Sequence, residues 1–139
     1  MAKDIIHDAV KHALIKDGWT ITDDPLTIFF DEDTTVFVDL GAERIIAAEQ
    51  NGDKIAVEIK SFVGRSSIRD MEVTLGQYLL HLSFLEKIEP NRKLYIAISQ
   101  TVFESIFRKG AFLYLVKRNQ IPLIIVNIRS EEVIQWIEQ

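Results

Sequence analysis

Lys54-Ile55-Ala56-Val57-Glu58-Ile59-Lys60 is the stretch on which the fold turns. It is a β-strand by composition, with β-branched residues at alternate positions. Strand alternation sends Ile55, Val57 and Ile59 to one face, and Ala56, Glu58 and Lys60 to the other. A carboxylate and an ammonium therefore stand side by side on an otherwise apolar strand. Upstream, Arg44 to Glu49 reads as a strand leading to the turn pair Asn51-Gly52. That pair is a strong hairpin signal, because both central residues of the tight turn need positive φ.

If Asn51-Gly52 is a two-residue loop, Glu58 faces Ile45 and Lys60 faces Glu43 across the hairpin. Glu43, Glu58 and Lys60 then converge on one sheet face, next to a helix N-terminus near Ser67. Two acids and a lysine suit a divalent ion: carboxylates are hard oxygen ligands. The lysine orients or activates water and offsets phosphate charge. A bulge or a shifted loop would replace Glu43 by Asp39 as the upstream acid.

Outward from this strand, Asp4 to Asp17 has Ile6, Ala9, Val10, Ala13 and Leu14 at helical spacing, stopped by Gly18. Trp19–Thr22, Leu26–Phe30 and Thr34–Leu40 read as strands separated by Asp23-Asp24-Pro25 and Asp31-Glu32-Asp33. Ser67, with Asp70 three residues on, opens a long helix to about Ile88, and Pro90 prevents its continuation. Lys93–Ile98 has no charge beyond its first residue, as expected of a central strand. Helical segments follow from Thr101 and from Ala111 to Asn119, then strands at Leu123–Ile128 and Val133–Ile137. The expected fold class is α/β: a mixed, partly antiparallel sheet flanked by helices, in one domain spanning residues 1–139.

On the long helix, Ile68, Met71, Leu75, Tyr78, Leu79, Leu82 and Leu85 form the expected core stripe. Val73, Leu80 and Phe84 make a second one on the far side. A helix apolar on two faces is covered on both, so a second subunit or another partner is expected there.

Composition excludes several machines. With 139 residues, 47% of them hydrophobic, the chain has the makings of a globular core and not of a disordered segment. It contains no cysteine, which excludes disulfides, thiolate zinc and cysteine nucleophiles. No apolar run reaches the roughly 18 residues of a membrane span. Acids at Asp4 and Asp8 interrupt any signal-peptide core, so a cytoplasmic location is expected. Neither a dinucleotide-binding nor a P-loop glycine pattern occurs, and His7, His12 and His81 lack the spacing of a helical zinc pair. The net charge of −5 opposes a free-standing nucleic-acid binder unless a metal or a local basic patch offsets the acids.

The α-β-β-β-α-β order, with an acid followed by Glu58-x-Lys60 on the third strand, resembles the PD-(D/E)xK, or restriction endonuclease-like, nuclease superfamily. In that pattern the upstream acid is usually Asp; here Glu43 stands at the matching place. The resemblance further implies a residue on the first helix, where His7 and Asp8 stand, and a glutamine on the helix after the strand, to which Gln77 corresponds. It makes Glu43 and Glu58 the ligands of a Mg²⁺ (or Mn²⁺) ion, with DNA as substrate.

Longer blocks are similar to one small family. They include Ile6-His7-Asp8-Ala9-Val10-Lys11, Lys16 to Thr22, Val38 to Arg44, Ile46-Ala47-Ala48-Glu49, Lys54 to Phe62, and Leu75-Gly76-Gln77-Tyr78. These resemble the XisH-type fdxN-element excision controlling factors of cyanobacteria. The resemblance implies a role in programmed excision of a DNA element during heterocyst differentiation and a companion protein of the XisI type, while the second stripe of the long helix points to homo-oligomers. Three readings stay open at this point: an accessory excision factor on a nuclease-like fold, an active Mg²⁺-dependent endonuclease, and a pure protein-interaction module.

Overall fold

The computed structural model describes residues 2–44, 52–108 and 110–139, with side chains from residue 5 onward. Helix α1 (Ala2–Lys16) leads into β1 (Thr20–Asp23), β2 (Leu26–Asp31), β3 (Thr34–Val38), β4 (Leu40–Arg44) and β5 (Asp53–Ile59). Helix α2 (Ser67–Ile88) crosses to β6 (Arg92–Ser99). A short α3 (Gln100–Val102) runs through a π-helical turn (Phe103–Phe107) toward α4 (Gly110–Arg118), and β7 (Leu123–Asn127) and β8 (Glu132–Ile137) complete the elements. Six strands form a mixed sheet in the order β1-β4-β5-β6-β7-β8, and β2 and β3 form a separate two-stranded ribbon. None of the described helices is long and apolar enough to cross a membrane.

The alternation in β5 and β6 divides the core into two layers. Ile55, Val57, Tyr95 and Ala97 pack beneath α1 with Val10, Leu14 and Trp19. Ala56, Leu94, Ile96 and Ile98 pack on the opposite face with Met71, Tyr78 and Leu85 of α2. Parallel pairing of β5 with β6, and of β6 with β7, puts these strands in the middle of the sheet, where burial on both faces requires near-continuous apolar runs. Glu58 and Lys60 fall on the α2 side, as the alternation predicts.

Three local expectations change. Thr34 to Leu40 is not one strand: it breaks at Asp39, where the chain leaves the ribbon and enters the main sheet. The cap of α2 is Ser66, whose hydroxyl accepts from the Arg69 N–H at 3.2 Å, and not Ser67. Asp70 accepts instead from Gly64 N at 3.0 Å, and a Cβ at Gly64 would collide with that carboxylate. Of the expected strand over Arg44–Glu49 only Arg44, at the end of β4, is described; residues 45–50 and the Asn51 half of the turn pair lie outside the described residues.

The second stripe of α2 is divided. Phe84 is covered within the chain, stacked on Phe30 of the ribbon with ring centroids 4.7 Å apart. Val73 and Leu80 remain 41% and 46% exposed. Ile68 and Leu79, expected in the core stripe, are 58% and 65% exposed.

Candidate functional site

The pairing of β4 with β5 decides which acids meet. Leu40 faces Val57, Gly41 faces Ala56, and Glu43 faces Lys54. Glu43 was expected opposite Lys60, so the pairing is displaced by six residues along β5. Six is even, and every side chain keeps its face while the acids change partners. The next residues beyond the Leu40–Val57 pair are Asp39 and Glu58. Glu43 lies four residues from Asp39, roughly 13 Å away along an extended chain, and its carboxylate forms an ion pair with Lys54 at 3.7 Å. Asp39, the reserve candidate, is the acid beside Glu58.

Asp39 is half-buried at the bend between β3 and β4, and its Oδ2 accepts the Ile59 N–H at 2.7 Å. Burial pushes its carboxyl above the ordinary value of 3.8, and the Ile59 N–H opposes that rise. The Glu58 carboxyl beside it adds to the rise by like charge and a proton-sharing contact, while Lys60 draws it back down. Two acids in one half-dry corner, one of them resisting ionisation, make a place where added positive charge is favourable. The donor set fits a divalent ion with hard oxygen preference, since Mg²⁺ commonly takes one or two carboxylates and fills its other positions with water and phosphate oxygens. Among the described residues no group of three or more His, Cys, Asp and Glu comes together, so an all-protein cage is not built here.

The other side chains come from α2. His81 is buried, and its Nδ1–H donates to Glu58 Oε2. Gln77, one turn earlier, accepts from the Lys60 ammonium through Oε1. Residues four apart share a helix face, so α2 presents one polar pair to the Glu58-x-Lys60 pair of β5. His81 was missed in the sequence, where it was tested only as a metal ligand. Its place four residues after Gln77 is the signal that could have found it.

A cavity of about 250 Å³ opens beside these groups, lined by Ile6, His7, Asp39, Ile59, Lys60 and Ser61. His7 is thus brought to the site, whereas Asp8 is exposed and does not line the cavity. A larger cleft of about 410 Å³ lies around Trp19, Arg44, Tyr95 and Trp136. Its charges pair internally, Arg44 with Asp53 at 3.2 Å and Lys93 with Glu138, while the buried Trp19 Nε1 and Arg44 Nε have no hydrogen-bond partner among the described residues.

A test of the corner follows from linkage. Because its folded value is raised, Asp39 supports folding most when protonated and withdraws that support as pH rises from 3.8 through the raised value. Asp39→Asn removes the charge and keeps an acceptor for Ile59 N–H. In chelator-treated protein it is expected to melt higher than the parent at neutral pH, with the advantage shrinking in acid. Parallel melting curves for the two proteins across that pH range would show that the corner is not strained by charge.

Comparison with known proteins gives a consistent set. The family model described as "XisH protein" matches residues 1–134. A crystal structure of a fdxN element excision controlling factor protein from Anabaena variabilis is 37% identical, with a TM-score of 0.85, covering 97% of this chain and 99% of that one. The crystal structure of an XisH family protein from Nostoc punctiforme PCC 73102 is 36% identical, with a TM-score of 0.86, covering 97% and 100%. No curated protein matches the chain.

Proposed function

The chain belongs to the XisH family, and from that premise we propose that it acts in excision of a DNA element through a phosphodiester-cleaving centre of Asp39, Glu58 and Lys60. The observation that carries this reading is the register that makes Asp39 the neighbour of Glu58. Asp39 restores the aspartate that the PD-(D/E)xK pattern asks for, with Glu58-x-Lys60 on the next strand and Gln77 on the next helix. We read the core as restriction endonuclease-like on that basis. The resemblance to a crystal structure named as an fdxN element excision controlling factor protein supports DNA as the polymer acted on.

Asp39 and Glu58 would hold a Mg²⁺ or Mn²⁺ ion; when bound, it supplies the positive charge that draws a phosphodiester to two acids and polarises its phosphorus. Lys60 donates to the Gln77 carbonyl and is suited to offset phosphate charge and to orient water. Gln77 keeps the flexible lysine stem in one place. His81 spends a hydrogen bond on Glu58 Oε2 and leaves the other carboxylate oxygen for the cation. Val73 and Leu80, exposed on the side of α2 that carries Gln77, favour control by a bound protein, either a companion of the XisI type or a second copy.

The test is a cleavage assay on supercoiled, linear and branched DNA with Mg²⁺ or Mn²⁺, with and without the companion protein. Cation-dependent cutting is expected, and Lys60→Met should slow it by about 10²–10³-fold, the scale of losing one oriented donor at a transition state. Absence of cutting on every substrate, together with no Mn²⁺ uptake by calorimetry, would leave the fold a scaffold for binding alone.

A further inference from the structure

We propose that His7 accepts the proton of the attacking water, and that Asp24 and Lys11 are positioning residues that hold its ring for that work. The inference rests on the phosphodiester-cleaving reading above and supplies the group which that centre lacks. Lys60 is a hydrogen-bond donor to Gln77 and, as an ammonium, has no lone pair. Asp39 and Glu58 are the carboxylates that would hold the cation. None of these three is open to take a proton.

His7 stands in the second turn of α1 and lines the 250 Å³ cavity together with Asp39 and Lys60. Its Nε2 lies 2.8 Å from Asp24 Oδ1, and the second oxygen of Asp24 accepts from Lys11 Nζ at 2.9 Å. The Lys11 ammonium holds the Asp24 carboxyl below the usual carboxylate range in spite of partial burial, and His7 adds to the effect. An ionised carboxylate only accepts hydrogen bonds. Nε2 therefore carries the hydrogen, and Nδ1 has no partner among the described residues. Lys11 serves as the counter-charge of Asp24, and Nδ1 is the ring nitrogen that the bond to Asp24 leaves free. The charged groups facing the ring are Asp24 from the β1–β2 turn, Lys11 from the next turn of α1, and Asp39 and Lys60 across the cavity; Asp8 is exposed and acts on Lys11. A carboxylate fixing one ring nitrogen so that the other can act is the general logic of an oriented histidine base.

In the step, the water oxygen forms its bond to phosphorus as its proton passes to Nδ1. The bond from phosphorus to the leaving oxygen breaks, the electron pair stays on that oxygen, and the oxygen takes a proton from solvent. Nδ1 then returns its proton to solvent, so the ring ends as it began.

The experiment uses the full chain, with companion protein wherever cleavage needs it, and measures Mn²⁺-dependent DNA cleavage against pH. His7→Gln is expected to lower kcat by about 10²–10⁴-fold, the usual scale of a general base, and to remove the acid limb of the profile. KM and Mn²⁺ affinity should stay at parental values. Asp24→Asn should cut the rate less and displace the same limb. Nitrogen-detected NMR of the parent should show His7 protonated at Nε2, with Nδ1 responding to inorganic phosphate added with Ca²⁺. A His7→Gln protein that cleaves as its parent does at every pH, or a ring protonated at Nδ1 alone, overturns this assignment while leaving the metal centre standing. A parent that neither cleaves nor takes up Mn²⁺ overturns the cleavage reading, and this assignment with it.

Discussion

Glu58→Gln is expected to abolish Mn²⁺ binding and, with it, cation-dependent cleavage, by about three orders of magnitude or more in rate. The substitution keeps the side-chain shape and an oxygen for the His81 Nδ1–H, so the packing of α2 against β5 is preserved. What it removes is one of two charges at a corner where Asp39 already resists ionisation. The variant should therefore fold, and in chelator-treated buffer it should melt no lower than the parent. Calorimetric titration with Mn²⁺ reads the first effect and the DNA cleavage assay the second. Parental Mn²⁺ affinity in Glu58→Gln would remove the metal from Asp39 and Glu58 altogether.

The second large effect is one of stability. His81 and Glu58 are both less than a tenth exposed and satisfy each other. Removing the hydrogen-bond partner of a buried carboxylate costs about 3–5 kcal/mol, because the survivor is left without compensation. His81→Leu should therefore lower the unfolding free energy by about that amount, measurable by urea denaturation. The double variant His81→Leu with Glu58→Met should recover most of the loss, since two apolar side chains replace the pair. Equal destabilisation in single and double variants would mean that His81 is held by shape alone.

Much of this was legible in the residues. The two faces of β5, its central place beside β6, the span of α2 and the Glu58-x-Lys60 pair follow from alternation and turn signals, and Gln77 from the resemblance those residues carry. The acid partner was not legible, because Asn51-Gly52 describes a local turn preference, whereas register belongs to the two strands together. Leu40 and Ala42 enter the α1 layer with Ile55 and Val57, and because a shift of six keeps them on that face, alternation does not choose between the two pairings. The break at Asp39 was hidden for a related reason. Val36, Phe37 and Val38 continue as an uninterrupted strand pattern, and only the separate ribbon shows where the chain turns. Asp24 was read as punctuation before Pro25, since a side chain's bond to a helix 17 residues away leaves no local trace.

Asp39 also has two employments that evolution cannot adjust separately. Its carboxylate binds the Ile59 N–H at 2.7 Å, fastening the corner where ribbon and sheet part, and the same group is the one proposed to meet the cation. Many hard-oxygen centres exchange aspartate for glutamate with little chemical consequence. At this position the longer side chain would carry its oxygens past Ile59 N–H and unfasten the corner. The aspartate is thus held by architecture more strictly than by reactivity, and a lineage that gave up cleavage would still have reason to keep it.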